Sequence, residues 1–387
     1  MTLKQRCGVA IATAAVMGFA CFGLMEPAAA ETAAHKPPTS STATGMPRAD
    51  ADGTIHVDLT VPPSEFWSPG FRDAYARRAA AITATRSRRP APGVAPDTDW
   101  DRYDADCARG AQPTIAWEAE HYAVDVVESK IGGVRVGIAT PRGGVPAQNQ
   151  GRVLIELRGG SCGGLVGLPE AMAVAAFAQM TVLAVDYRPA PHYRFPASID
   201  DVVAVYKELL KAHKPEAIGI FGTSAGGVLT SQAVAALQAE GLPRPGAAGV
   251  FWSGIAAAPF PWGKFGDSLL WELSGVPQSD HSVYHATIDQ FSAYLKGVDP
   301  ADPRAYPGSS DAVLARFPPT LFVTGTRAID LSPAVTSHAR LLKLGVDSQL
   351  YVMEGGWHGA SVGTQGSPEE RDVNAFIGRW FDQHLAR

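Results

Sequence analysis

The sequence predicts an α/β protein with a mostly parallel central sheet flanked on both faces by helices. Short runs of leucine and β-branched residues recur after residue 150, each followed by a loop and a stretch of helical periodicity. The runs are apolar throughout rather than alternating, as in strands buried on both faces. A hydrophobic content of 46% over 387 residues is enough for a large core.

In chain order, Lys4 and Arg6 precede an apolar run to about Met25, and Ala28-Ala29-Ala30 follows. That is the layout of a secretory signal over residues 1–30, and so of a secreted or periplasmic protein. The apolar run nearly reaches membrane-spanning length, but the flanks fit cleavage, after which no stable membrane insertion is expected. Residues 31–60, rich in Ala, Thr, Ser and Pro, read as a flexible linker. Residues 61–110 read as an N-terminal helical cap segment, because Phe66, Trp67, Phe71 and Tyr75 recur at helical spacing before prolines from Pro90 to Pro96 break the pattern.

The main domain is expected over residues 111–387. Residues 122–127 and 134–139, joined through Gly132-Gly133, read as an antiparallel hairpin. Strands at 153–157, 181–185 and 217–221 then alternate with helices at 170–179, 200–211 and 226–240. Further strands are expected at 248–252, 320–324 and 348–353, with helices at about 333–344 and 368–385. Residues 259–310, rich in Trp, Phe, Tyr and Pro, interrupt this alternation and are too long for a plain connection, so they read as a cap insertion. In such sheets the chemistry lies at the carboxyl ends of the strands.

A formal net charge of −5 leaves no basic surface for nucleic acid. No zinc-type cysteine or histidine cluster is present, and the acidic run Asp97, Asp99, Asp101 lacks a calcium loop's glycine and final glutamate. No metal or cofactor is therefore expected. Beyond the leader the cysteines are Cys107 and Cys162, read as free thiols; one disulfide between them is the alternative that an oxidising compartment permits.

At the end of the third strand of the alternating series stands Gly222-Thr223-Ser224-Ala225-Gly226-Gly227, a G-x-S-x-G sequence between an apolar strand and a helix. The order strand, motif, helix makes Ser224 the candidate nucleophile, raised clear of the sheet at a helix N-terminus. A serine hydroxyl needs a base, and the base needs an orienting carboxylate. His358 follows the last strand directly and sits in a loop, whereas His338 falls inside a helix and His281 and His285 fall in the insertion. Asp330 is the single carboxylate of the loop 325–332. Ser224, Asp330 and His358 are the expected triad, in the order nucleophile, acid, base.

Asp186-Tyr187-Arg188-Pro189-Ala190-Pro191, then Phe195-Pro196-Ala197 and Asp200-Asp201, resemble segments of the hormone-sensitive-lipase-like bacterial serine esterases of the α/β-hydrolase fold. The resemblance runs from about residue 153 to the C-terminus. It implies a carboxylesterase acting on short acyl esters, with a helical cap over the site and a small-molecule ester as partner. It also assigns the glycine-rich stretch Arg158-Gly159-Gly160-Ser161-Cys162 as an oxyanion loop, in which the N–H groups of Gly159 and Gly160, with that of Ala225, face the developing charge. Two departures stand out. Arg158 replaces the first histidine of the family's H-G-G-G, and Ala328 occupies the position where the family commonly has its acid, two residues before Asp330. Arg158, Ser161 and Cys162 are expected at the substrate side of the loop, with Arg158 either supporting the loop or aiming charge at an acidic substrate. Other readings of the same residues are a peptidase, an acyltransferase or a catalytically impaired binding protein. Oligomeric state is left open between monomer and homodimer.

Overall fold

The computed structural model describes residues 48–53, 55–56, 62–86, 100–160, 162–190, 192–258 and 294–387. The leader, most of the linker, residues 259–293 of the insertion, and Ser161, His281 and His285 lie outside these residues. A two-residue pair, β1 (Arg48–Ala49) and β2 (Ile55–His56), precedes the main domain.

The centre is an eight-stranded sheet in the order β10-β9-β8-β7-β5-β6-β4-β3. Its strands are β3 (Val124–Ile131), β4 (Val134–Pro141), β5 (Val153–Leu157), β6 (Thr181–Val185), β7 (Ile218–Thr223), β8 (Ala247–Phe251), β9 (Thr320–Gly325) and β10 (Ser348–Met353). All neighbours are parallel except β3 with β4 and β4 with β6. The hairpin turns at Gly132 and Gly133, both with positive φ (59° and 83°), which a two-residue turn of this hand requires. β3 continues past residue 127, paired with β4 as far as Ile131, although its outer half, Glu128-Ser129-Lys130, lies exposed on the sheet edge and carries no apolar alternation to mark it in the sequence.

The helices are α1 (Pro69–Arg86), α2 (Trp100–His121), α3 (Leu168–Ala178), α4 (Ala197–Leu209), α5 (Ala225–Ala239), the short α6 (Asp311–Leu314), α7 (Leu331–Lys343) and α8 (Pro368–His384). Alternate residues of β5 divide between the two faces of the sheet. Leu154 packs with Ala171, Val174, Ile377 and Phe381 of α3 and α8. Val153 and Ile155 pack with Val202, Tyr206, Leu229 and Ala233 of α4 and α5. The N-terminal aromatics are not surface decoration: Trp67, Phe71 and Tyr75 are buried, and Phe71 and Tyr75 reach Trp357 at ring-centroid distances of 4.9 and 5.6 Å. Phe66, the fourth apolar residue of that pattern, is 84% exposed.

Cys107 and Cys162 form a disulfide rather than the free thiols expected, joining α2 to the loop after β5. The expectation failed because the two residues are 55 apart in sequence and only the packing of α2 over that loop brings them together. Closing a loop of that length is worth about 4 kcal/mol in the chain-entropy model.

Candidate active site

Ser224 sits between β7 and α5 with φ 60° and ψ −117°, a conformation that side-chain-bearing residues seldom adopt. The flanking glycines permit it. A Cβ at Gly222 would overlap the carbonyl oxygen of Leu157 and the backbone of Gly226, and one at Gly226 would overlap the same carbonyl. The elbow is thus pressed backbone to backbone against the end of β5, so the nucleophile lies beside the loop that starts at Arg158. It also stands at the N-terminus of a 15-residue helix, where the dipole favours negative charge.

Two loops deliver the other groups. His358 leaves β10 and turns its ring back over the sheet, with Nε2 2.9 Å from Ser224 Oγ and Nδ1 2.7 Å from Asp330 Oδ1. Asp330, at the start of α7, is fully buried, and its second oxygen accepts a hydrogen bond from Thr324 Oγ1 at 2.6 Å. Ser224 and His358 are 4% and 9% exposed, so the row is largely shielded from solvent. The shift of two residues from Ala328 is absorbed by the loop. Ala328 N–H turns back to Gly325 O and Leu331 N–H to Ala328 O, so the chain curls and brings Asp330 under the imidazole while Ala328 is buried.

The histidine loop is buttressed from several sides that sequence reasoning did not pick out. Trp67 Nε1 donates to Glu354 O, Trp357 is wedged among the aromatics of α1, and Trp252 Nε1 donates to Ser361 Oγ at 2.8 Å. Arg327 N–H donates to Gly356 O, which ties the loops bearing Asp330 and His358 together. Glu354 turns away from His358, accepting from Ser64 and Thr326, and His338 lies on α7 against Ser348 Oγ.

Arg158 is not on the substrate side. It is 1% exposed, its guanidinium donates to Cys162 O and Tyr187 O, and it lies over the Tyr187 ring at 3.8 Å. Tyr187 OH returns a hydrogen bond to Arg158 O. The physical reason is tertiary: the Cys162 and Tyr187 carbonyls and the face of the Tyr187 ring, brought together by the packing of two loops, enclose the guanidinium on the inner side of the loop. Cys162 is likewise withdrawn from the expected substrate role by its disulfide. Gly159 is buried and Gly160 has φ 73°. The D-Y-R segment holds this loop: Asp186 accepts from Gly164 N–H at 2.8 Å, and Arg188 is paired to Asp201 at 2.9 Å.

Behind the elbow lies a group of buried and half-buried carboxyls. Thr223, next to the nucleophile, donates to Glu170, whose pKa burial pushes up to about 7. Burial, with Glu170 nearby, raises Glu156, and burial together with Glu370 and Glu170 raises Glu118.

A mostly parallel sheet with a serine elbow after a central strand and an acid and a histidine after its last two strands defines the α/β-hydrolase class. A model of the alpha/beta hydrolase fold family matches residues 159–362. The chain belongs to this family. It is 32% identical over 221 residues, 55% of its length, to an acetyl-hydrolase of Streptomyces hygroscopicus, of which the match covers 69%. The solved structure of an esterase, E25, superposes with a TM-score of 0.71 at 27% identity, covering 87% of this chain and all of that one. An esterase from the bacterial hormone-sensitive lipase family shares the fold with a TM-score of 0.62 at 24% identity, over 82% of this chain and 99% of that one.

Proposed function

We propose that this carboxylic ester hydrolase cleaves short acyl esters through an acyl-enzyme, with Ser224 as nucleophile, His358 as base and Asp330 as its orienting acid. The observation that carries the reading is the single hydrogen-bonded row Asp330–His358–Ser224, with Nδ1 and Nε2 of one imidazole engaged at 2.7 and 2.9 Å. His358 Nε2 takes the hydroxyl proton as Ser224 Oγ attacks the ester carbonyl, and Asp330 stabilises the imidazolium. The negative charge on the carbonyl oxygen is met by the N–H groups of Gly159, Gly160 and Ala225, donors that are each worth on the order of 10² to 10³ in rate. His358 then passes its proton to the departing alkoxide. Water, deprotonated by the same nitrogen, releases the acid and restores Ser224.

The enzyme is exported in this reading. The basic start, apolar run and Ala28-Ala29-Ala30 support a cleaved leader, and a disulfide suits an oxidising compartment.

Ser224→Ala is expected to abolish hydrolysis of p-nitrophenyl acetate and labelling by a fluorophosphonate probe while the Tm is retained. Turnover by that variant at the native rate would overturn the reading.

A further inference from the structure

We propose that the Cys107–Cys162 disulfide is a positioning element of the oxyanion loop, so that the redox state of this one pair sets kcat. The inference rests on the reading of Gly159 and Gly160 as oxyanion donors and adds α2 to the machinery that holds them.

Between the end of β5 at Leu157 and the start of α3 at Leu168, the chain crosses a glycine-rich loop outside regular secondary structure. Glycine gives such a loop many conformations to lose, whereas oxyanion donors must be held to within about 0.5 Å to be effective. On one side the sheet body restrains the loop. Arg158 arches to Cys162 O and Tyr187 O, Tyr187 OH returns to Arg158 O, and Asp186 holds Gly164 N–H. On the other side α2 supplies two restraints one helical turn apart. Asp104 Oδ1 accepts from Gly163 N–H at 2.8 Å, and Cys107 is bonded to Cys162. The fit at Gly163 is close, since a Cβ there would lie 2.6 Å from Asp104 Oδ2. Residue 162 is thereby gripped twice, by its carbonyl oxygen from Arg158 and by its sulfur from α2. Arg158 stands where the family pattern has its histidine, Ser161 where it has its third glycine, and the disulfide fixes the residue that follows.

Of these restraints only the disulfide is chemically reversible under mild conditions. Cys107 is half-buried and Cys162 is buried, so reduction is carried out with a small reductant under native conditions. A trialkylphosphine converts the disulfide to two thiols and is itself oxidised to the phosphine oxide, water supplying the oxygen and both protons. Releasing Cys162 frees the loop beside Gly160, and because oxyanion donors act on the transition state more than on the bound ester, the loss falls on kcat rather than KM.

The test uses the full oxidised protein and its phosphine-reduced form, with thiols counted and active sites titrated to the endpoint by a fluorophosphonate. Reduction is expected to lower kcat for p-nitrophenyl acetate per titrated site by at least about tenfold, with KM within about twofold, and reoxidation is expected to restore it. A merely structural disulfide would lower the number of titratable sites and the Tm and leave kcat per site unchanged. That result, or a rise in KM alone, overturns the proposal. If reduction unfolds the chain, Asp104→Ala decides with the disulfide intact. A kcat loss with KM held supports control of the loop from α2, and an unchanged kcat overturns it. Failure of the clamp is distinguishable from failure of the esterase reading, because only the latter leaves Ser224→Ala active and the oxidised enzyme unlabelled.

Discussion

Asp330→Asn replaces one buried oxygen by an amino group and interrogates the whole catalytic row. When His358 takes the Ser224 proton, an imidazolium forms beside a fully buried carboxylate. Two unit charges about 4 Å apart are worth about 4 kcal/mol at an effective dielectric constant near 20. That corresponds to about 10³ in rate. The amide adds a tautomer error. If its carbonyl keeps the hydrogen bond from Thr324 Oγ1, its NH₂ faces His358 Nδ1, which must then accept. The ring proton is driven to Nε2, and the nitrogen that faces Ser224 can no longer act as base. The expected loss in kcat is therefore about 10³ to 10⁴, in line with the roughly 10⁴ known for the equivalent change in the serine-protease triad. KM should stay within about twofold, since Asp330 is positioned to touch the imidazole and not the ester. The assay is p-nitrophenyl acetate hydrolysis, normalised to fluorophosphonate-titrated sites. A loss smaller than about tenfold would show that His358 works without an acid and would refute the assignment.

Three further outcomes follow from the same geometry. Gly226→Ala should fail to accumulate as folded protein, because its Cβ would overlap the Leu157 carbonyl and neither backbone can retreat; a soluble, active variant would contradict the elbow packing. Arg158→Met should leave the Cys162 and Tyr187 carbonyls unsatisfied at about 1–3 kcal/mol each and lower the Tm, yet the preference between acetyl and succinyl esters should not change. A selective loss with the anionic succinyl ester would put the guanidinium at the substrate after all. The half-buried Glu170 gives a pH dependence of definite sign. With its folded pKa raised to about 7, the native state keeps a proton that the unfolded chain releases near its ordinary value. Stability from this group is full at acid pH and is lost as pH rises towards 7. Melting curves of Glu170→Gln should show a smaller fall in Tm between about pH 5 and 7 than the native protein, and equal slopes would refute the assignment of that proton.

The parts of this molecule legible from its sequence are those written in local pattern. Apolar runs such as residues 153–157 and 320–324 read as strands because nothing charged interrupts them except Glu156, and the glycine spacing around Ser224 marks a turn too tight for side chains. The outer half of β3 was illegible because an exposed edge strand imposes no alternation. Asp330 could be singled out as the sole carboxylate of its loop, but its approach to His358 depends on how that loop curls, and only the fold fixes that.

Sequence alone therefore determined most strands of the sheet, the helices that alternate with them, the elbow and the family, since each of these is encoded in neighbouring residues or in motifs in a set order, whereas α2 runs across the boundary expected at residues 110 and 111. Tertiary structure alone decided that Cys107 meets Cys162, that Arg158 turns inward onto Tyr187, and that the α1 aromatics brace Trp357 beside the histidine. The physical reason is the same in each case. These contacts join residues far apart in the chain, and their partners are chosen by burial, which pairs whatever groups the packing of the helices on the sheet leaves facing one another.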